Sequence, residues 1–346
     1  MTTQHVTRTR RPGLRLRNPA SALCLTLCSL AFGIPAAHSQ VTYQVFDPTG
    51  SIDTEALSIN SALTITGFYT DTNSVEHGFQ RDASNTITSF DPVGSTATNA
   101  YSINTGGAIT GTWYDMNSVG HGFVRAANTT ITSFDPVGST GTRSYSINGP
   151  GAIAGYYTDV NHQPHGFVRA ANTTITSFDP VGSTGTMASS IDNAGTITGT
   201  YNDVNSVAHG FVRLANTTTT TFDPPGSTGT YGIAINNAGT ITGDYQDNSG
   251  VYHGFVRTAA GTITTFDPPG SRETTPLAIS SAGEITGFYI DNSFILHGFL
   301  RRPNTSITSF DPPTSNLTTA AGITGGKITG YFKDNTGHIH GFLRIP

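Results

Sequence analysis

Twenty residues, Phe123 to Thr142, recur without a change at Phe167 to Thr186, so the chain is assembled from copies. His-Gly-Phe appears at His77, His121, His165, His209, His253, His297 and His340. Phe-Asp-Pro appears at Phe46, Phe90, Phe134, Phe178, Phe222, Phe266 and Phe310. The second series keeps a period of 44; the first keeps it until a last step of 43. A fixed period in the 40s marks a repeat architecture, in which each copy is one supersecondary unit that buries its apolar face against the next.

Each unit divides into four short segments separated by turn chemistry. In the copy from Phe90 to Ser133, a first strand is expected at Ala100 to Asn104, with Tyr101 and Ile103 on one face. Leu57/Ile59, Tyr145/Ile147 and Ile233/Ile235 keep the same spacing of two. An Asn-x-x-Gly connector, as at Asn236 to Gly239, closes a hairpin because Asn and Gly tolerate positive φ. A second strand follows at Ala108 to Asp115, with Ile109, Gly111 and Trp113 sharing a face. Strand three is expected at His121 to Arg125 and strand four at Thr130 to Asp135, where Asp-Pro-Val-Gly or Asp-Pro-Pro-Gly halts the ladder. No apolar pattern holds at three and four, so helices are not expected.

Four antiparallel strands in 44 residues describe the blade of a β-propeller, and the expected fold is all-β with seven blades. An open solenoid is the rival, and the phase of the ends decides between them. The repeat region begins with a lone fourth strand, Val41 to Pro48, and finishes with a lone third strand, His340 to Pro346. If the first pairs with the last, the N-terminal strand completes the last blade and the ring closes.

The segment before the repeats differs in kind. Five arginines (Arg8, Arg10, Arg11, Arg15 and Arg17) without an acid precede the apolar run Ala22 to Ala37, and Ala37-His38-Ser39 offers small residues for cleavage. This is the pattern of a secretory signal over residues 1–39, with ordinary Sec export favoured over the twin-arginine route, leaving residues 40–346 as one domain. Secretion, to the periplasm or the exterior, is the expected destination. Both cysteines, Cys24 and Cys28, fall in that segment, so no disulfide is expected in the repeats. Leu27 before Cys28 disfavours a lipid anchor. The segment holds five of the chain's 17 Lys and Arg and none of its 22 Asp and Glu, so the remainder carries a net charge of about −10. Such a charge argues against nucleic acid and anionic membranes as partners. No second apolar run is long enough for a membrane span, and a monomer is expected.

The motif His-Gly-Phe-Val-Arg or His-Gly-Phe-Leu-Arg, preceded by Ile-Asn-x-x-Gly-x-Ile-Thr-Gly as in Ile235 to Gly243, resembles the HAF-family extracellular repeats of bacteria. Gly stands where that family's motif has Ala, and the likeness runs through all seven units. The resemblance implies export and a repeat fold, and carries no catalytic residues.

Chemistry-bearing side chains recur with the repeat. Each unit has an Asp closing strand two (Asp71, Asp115, Asp159, Asp203, Asp247, Asp291 and Asp334), the His opening strand three, an Arg ending it and the Asp of Phe-Asp-Pro. Carboxylate beside imidazole can act as acid and base or hold a metal. Sevenfold recurrence favours a structural network at blade junctions, with the arginines paired to these aspartates. The Asp-x-Asn-Ser turns lack the spaced acids of a calcium loop, and His338 with His340, or His162 with His165, lacks a third metal ligand. No metal or other cofactor is therefore expected. Trp113 replaces a repeated Tyr and reads as blade core. Asn128, Asn172, Asn216, Asn304 and Asn316 begin glycosylation sequons.

Two functional classes remain. One is a noncatalytic binding module, for a polysaccharide or a cell-surface component; the other is an exported carbohydrate lyase or hydrolase with its site at the channel mouth. Uniform repeats favour binding. In a blade that runs from the inner strand outward, the strand-four exits and the turns between strands two and three open on one face. Both Asp series and the seven His are expected there, as an acidic candidate binding face.

Overall fold

The structure, a computed structural model, describes residues 41–346; the expected signal segment and its two cysteines lie outside the described residues. Those residues form 28 β-strands and no helix. The unit used above is typical: Ala97–Ile103, Ile109–Tyr114, Gly120–Arg125 and Ile131–Phe134 pair antiparallel in that order. The turn chemistry lies where expected, with Gly107, Gly138 and Gly151 at positive φ.

Hydrogen bonding groups the strands into six sheets, not the seven separate ones that seven blades imply, and no sheet closes on itself. Five sheets have four strands and the sixth has eight. The eight-stranded sheet consists of two antiparallel groups of four. One is Ser51–Ile59, Ile65–Asp71, Glu76–Arg81 and Ile87–Phe90; the other is Ser315–Thr324, Lys327–Asp334, Ile339–Ile345 and the N-terminal strand Thr42–Phe46. A single parallel bridge, Asp53 to Ile339, joins them. Beside it the Asp53 carboxylate accepts the Ile339 N–H at 2.9 Å and His338 Nδ1 meets the Ile52 carbonyl at 3.1 Å. The N-terminal strand does pair with the C-terminal one, Thr42 opposite Ile345 through Phe46 opposite Gly341.

Packing follows from the repeated residues. Seven phenylalanines of third strands, Phe79 through Phe342, and seven isoleucines of second strands, Ile65 through Ile328, are fully buried. Each third-strand Phe meets the outer-strand Phe of the preceding unit edge-on, as in Phe90–Phe123 at 6.0 Å, and Phe46–Phe79 makes the same contact at 6.1 Å. Such pairs contribute about 0.5–1.5 kcal/mol beyond the area they bury. Gly of His-Gly-Phe is needed because a Cβ at Gly122 would lie 2.8 Å from the Phe134 ring.

The arginines do not pair with the aspartates. Each lies over the outer-strand Phe of the preceding unit, from Arg81 over Phe46 at 4.7 Å to Arg344 over Phe310 at 4.8 Å. Six have a buried Nε without a hydrogen-bond partner. The stem fills the junction and the guanidinium plane rests on the ring, so a cation–π contact stands where an ion pair was expected. The connector asparagines also bridge units: Asn60 Nδ2 donates to the Asn104 carbonyl, Asn104 to Asn148 and Asn148 to Asp192, at 2.8–3.0 Å.

The inner strands depart from simple alternation. Every one has a bulge, as between Ala100 and Ser102, and the core residues are Ala100 and Ile103, three apart. Tyr101, expected beside Ile103, is the bulged residue and points into the central channel instead. The corresponding residues Leu57, Tyr145, Ser189, Ile233, Leu277 and Ala321 line the same space. Neighbouring inner strands contact one another in sequence, and Ser315–Thr324 contacts Ser51–Ile59.

Candidate functional site

The repeated Asp and His residues come together within each unit. His Nδ1 lies 2.7–2.8 Å from the Asp of Phe-Asp-Pro: His77 on Asp91, His121 on Asp135, His165 on Asp179, His209 on Asp223, His253 on Asp267, His297 on Asp311 and His340 on Asp47. Nε2 lies 3.4–3.8 Å from Asp71, Asp115, Asp159, Asp203, Asp247, Asp291 or Asp334 in turn. Because the imidazole spans both series, all three groups share one edge of each sheet.

These triads are partly exposed, with His side chains at 24–29%. Their bonding is nonetheless internal. The first carboxylate oxygen of Asp71 accepts the N–H groups of Asn73 and Val75 at 2.8 and 2.9 Å, closing the turn. His121 stacks on Trp113 at 4.5 Å, and His209 on Tyr201 at 5.2 Å. Trp113 also donates to Ser133 at 2.9 Å, which ties it into the blade. Among the described residues no group of three or more His, Cys, Asp or Glu is arranged to hold a metal ion.

A different site emerges at the channel. In each inner strand a fully buried Thr, from Thr54 to Thr318, precedes a residue that changes in almost every copy: Glu55, Asn99, Arg143, Met187, Tyr231, Thr275 and Thr319. Their partners on the second strands are Phe68, Thr112, Tyr156, Thr200, Asp244, Phe288 and Tyr331. This layer and the bulge layer beside it vary from copy to copy, as do the turns that lead into His-Gly-Phe. A cavity of about 650 Å³ lies there, walled by Tyr101, Tyr145, Met187, Tyr231, Asp244 and Tyr252 among others. It lies toward the strand ends that follow the Asp-Pro loops, the side on which the triads sit.

Electrostatics set this layer apart. Burial pushes the Asp244 carboxyl up to about 7, against a hydrogen bond from Thr275 at 3.2 Å. Burial, with Glu76 and Asp53 nearby, raises Glu55 to about 7. Arg143 bonds to the Tyr114 hydroxyl and lies over its ring. Tyr145 packs between Tyr101 at 5.3 Å and Tyr156 at 5.8 Å. The signal in the sequence that finds this site is the change from copy to copy at fixed repeat positions.

The shifts fix a pH profile. Glu55 and Asp244 have raised folded pKa values, so the stability they allow is complete below the unfolded range near 4 and falls as pH rises through about 7. Desolvation lowers the pKa of His253 and His340, but hydrogen bonds to Asp267 and Asp47 outweigh it, and the bond to Asp179 raises His165. Their contribution likewise fades above about 6.5. Backbone hydrogen bonds hold Asp71, Asp115, Asp159, Asp203, Asp247 and Asp291 low, and the Thr336 hydroxyl leads for Asp334. That support is lost as pH falls below about 4. Melting temperature therefore peaks near pH 4.5–5 and is about 5 °C lower at pH 8. Calorimetry from pH 3 to 9 checks this, and a peak at pH 8 would contradict the assignments.

No protein-family model matches the chain, and no curated protein does. Among solved structures, the chain is similar to a streptogramin B lyase, at 16% identity and a TM-score of 0.59 over 88% of this chain and 97% of that one. It is also similar to the β-propeller domain of the Trilobed protease from Pyrococcus furiosus, at 7% identity and a TM-score of 0.60 over 87% and 95%. A puromycin hydrolase matches at 10% identity and a TM-score of 0.59, over 86% of this chain and 55% of its own. At these identities the likeness is one of fold: the described residues resemble β-propellers.

Proposed function

We propose that the chain is an exported HAF-type repeat protein, a seven-bladed propeller closed by its N-terminal strand, that acts as a noncatalytic binding module. The seven groups of four strands, and the contact between first and last inner strands, support the blade count and ring. One observation supports the functional reading. Positions that build the fold recur from copy to copy, whereas the inner-strand layer differs between copies, and Met187, Thr200, Tyr231 and Asp244 of that layer line one cavity at the channel mouth. A scaffold needs its repeated residues alike; a site needs unlike residues converging. The triads are then the frame of the acidic face, and a polysaccharide or cell-surface ligand is held at its centre.

A binding screen over glycans and polysaccharides, run with paired variants, tests this. Asp203→Asn with His209→Gln is expected to lower melting by a few degrees and leave binding per folded molecule unchanged. Tyr101→Ala with Tyr145→Ala is expected to weaken binding about tenfold or more. The reverse pattern would return the site to the triads. A second reading, a carbohydrate-active enzyme, draws on Glu55 and Asp244, two carboxyls raised to about 7 near the mouth. Product formation from a bound polysaccharide, abolished in Asp244→Asn, would establish it and reject the noncatalytic reading.

A further inference from the structure

Asp244 is the one acid at its repeat position, where the fold does not ask for one. At the same repeat position the other six copies carry Phe68, Thr112, Tyr156, Thr200, Phe288 and Tyr331, and their sheets form equally well. Asp244 is only 6% exposed, yet it lines the cavity. Burying a carboxylate is costly unless it is paired. Its side-chain partner is the Thr275 hydroxyl at 3.2 Å, and it forms no salt bridge among the described residues. Around it the wall is aromatic and aliphatic: Tyr231 and Tyr252, with ring centroids 6.1 Å apart, and Ile233 and Leu277.

A carboxylate without a cationic partner, set beside two aromatic rings in a largely apolar cavity, is the arrangement that receives an organic cation. The carboxylate supplies the counter-charge and the ring faces supply cation–π attraction. We propose that the ligand anchors here through an amine or alkylammonium group, with Asp244, Tyr231 and Tyr252 as its receptor. This rests on the channel-mouth reading and adds the chemistry of the ligand. The negative charge of the repeats, about −10, draws a cation toward the mouth from a distance.

Tyramine and tyrosol share a phenol and a two-carbon arm and differ in ending with an ammonium or a hydroxyl, so they isolate the charge. Calorimetric titration of the folded protein at pH 8, where Asp244 is ionised, is expected to show tyramine binding at least tenfold tighter than tyrosol. Asp244→Asn should erase that difference, and Tyr252→Leu should weaken tyramine about fivefold with melting held within a few degrees. Equal binding of the two probes would overturn the cation inference while leaving the pocket in place. Binding of neither, or a tyramine preference that survives Asp244→Asn, would overturn it as well; the pocket itself is judged by the Tyr101 and Tyr145 variants. A second arm compares a glucosamine oligomer with its N-acetylated counterpart. A preference for the free amine, lost in Asp244→Asn, places the cation on a polysaccharide; preference for tyramine alone places it on a small molecule.

Discussion

Replacing Phe46 by alanine lowers the melting temperature by about 5–8 °C, and removing residues 41–48 lowers it by about 15 °C or more. Phe46 belongs to the strand that pairs with the C-terminal strand, and its ring sits in the core of the first unit, beside Leu343 from the other chain end. It is 9% exposed, lies edge-on to Phe79 at 6.1 Å and carries the Arg81 guanidinium 4.7 Å above its ring. Truncating a buried Phe costs about 3–5 kcal/mol. Deletion also removes Tyr43, which packs on Phe310 and Phe342, and the five-residue ladder to Ile339–Ile345. An exposed sheet edge would remain, so association through that edge is expected alongside the lower melt. Val45→Ala on the same strand, at 49% exposure, should shift melting by less than 2 °C. Differential scanning calorimetry with light scattering reads both effects. A Phe46→Ala melt within 2 °C of the parent would mean that the strand is not part of the folded core.

The strand count, order and turns could be read from the sequence because each rests on a local signal repeated seven times. Asn-x-x-Gly and Asp-Pro-x-Gly mark turns by backbone preference alone, and the spacing of His-Gly-Phe and Phe-Asp-Pro supplies the phase. The proximity of His to both Asp series followed from the direction of the strands. What could not be read depends on neighbours that local patterning does not name. The bulge at Tyr101 breaks the spacing of two, so a residue assigned to the core lines the channel. Arg125 was matched with an acid by charge, but the ring of Phe90 in the preceding unit is what lies under it. The merging of two four-strand groups into one sheet through Asp53 and Ile339 lies beside an Asp that the other copies lack, Glu273 being the one other acid at that position. At the candidate site the same contrast holds. The triads are conspicuous because they repeat, whereas Glu55, Arg143 and Asp244 become visible only when copies are laid over one another and their differences read.

Gly243→Ala is expected to destabilise the protein by about 3 kcal/mol and to weaken ligand binding at least tenfold in the molecules that still fold. Gly243 lies opposite Gly232 on the inner strand, where the bulge at Ile233 brings the Tyr231 carbonyl inward. A Cβ on Gly243 would stand 1.9 Å from that carbonyl oxygen and 3.1 Å from the Ile233 nitrogen. Both atoms are backbone, so no rotamer change relieves the clash, and the bulge itself must move. The same approach, 1.9–2.1 Å, occurs at Gly67, Gly111, Gly155, Gly199, Gly287 and Gly330, which is why Ile-Thr-Gly or its variant ends in Gly in every copy. The bulge turns Ile233 into the channel and places Tyr231 beside Asp244, so shifting it disturbs three wall residues at once. Gly141→Ala provides the control, since an added Cβ there meets nothing within 4 Å; it should leave melting and binding unchanged. Chemical denaturation separates the stability effect from the binding effect. Gly243→Ala with parental stability would show that the bulge can relax freely, and parental affinity in the folded fraction would show that the channel wall does not hold the ligand.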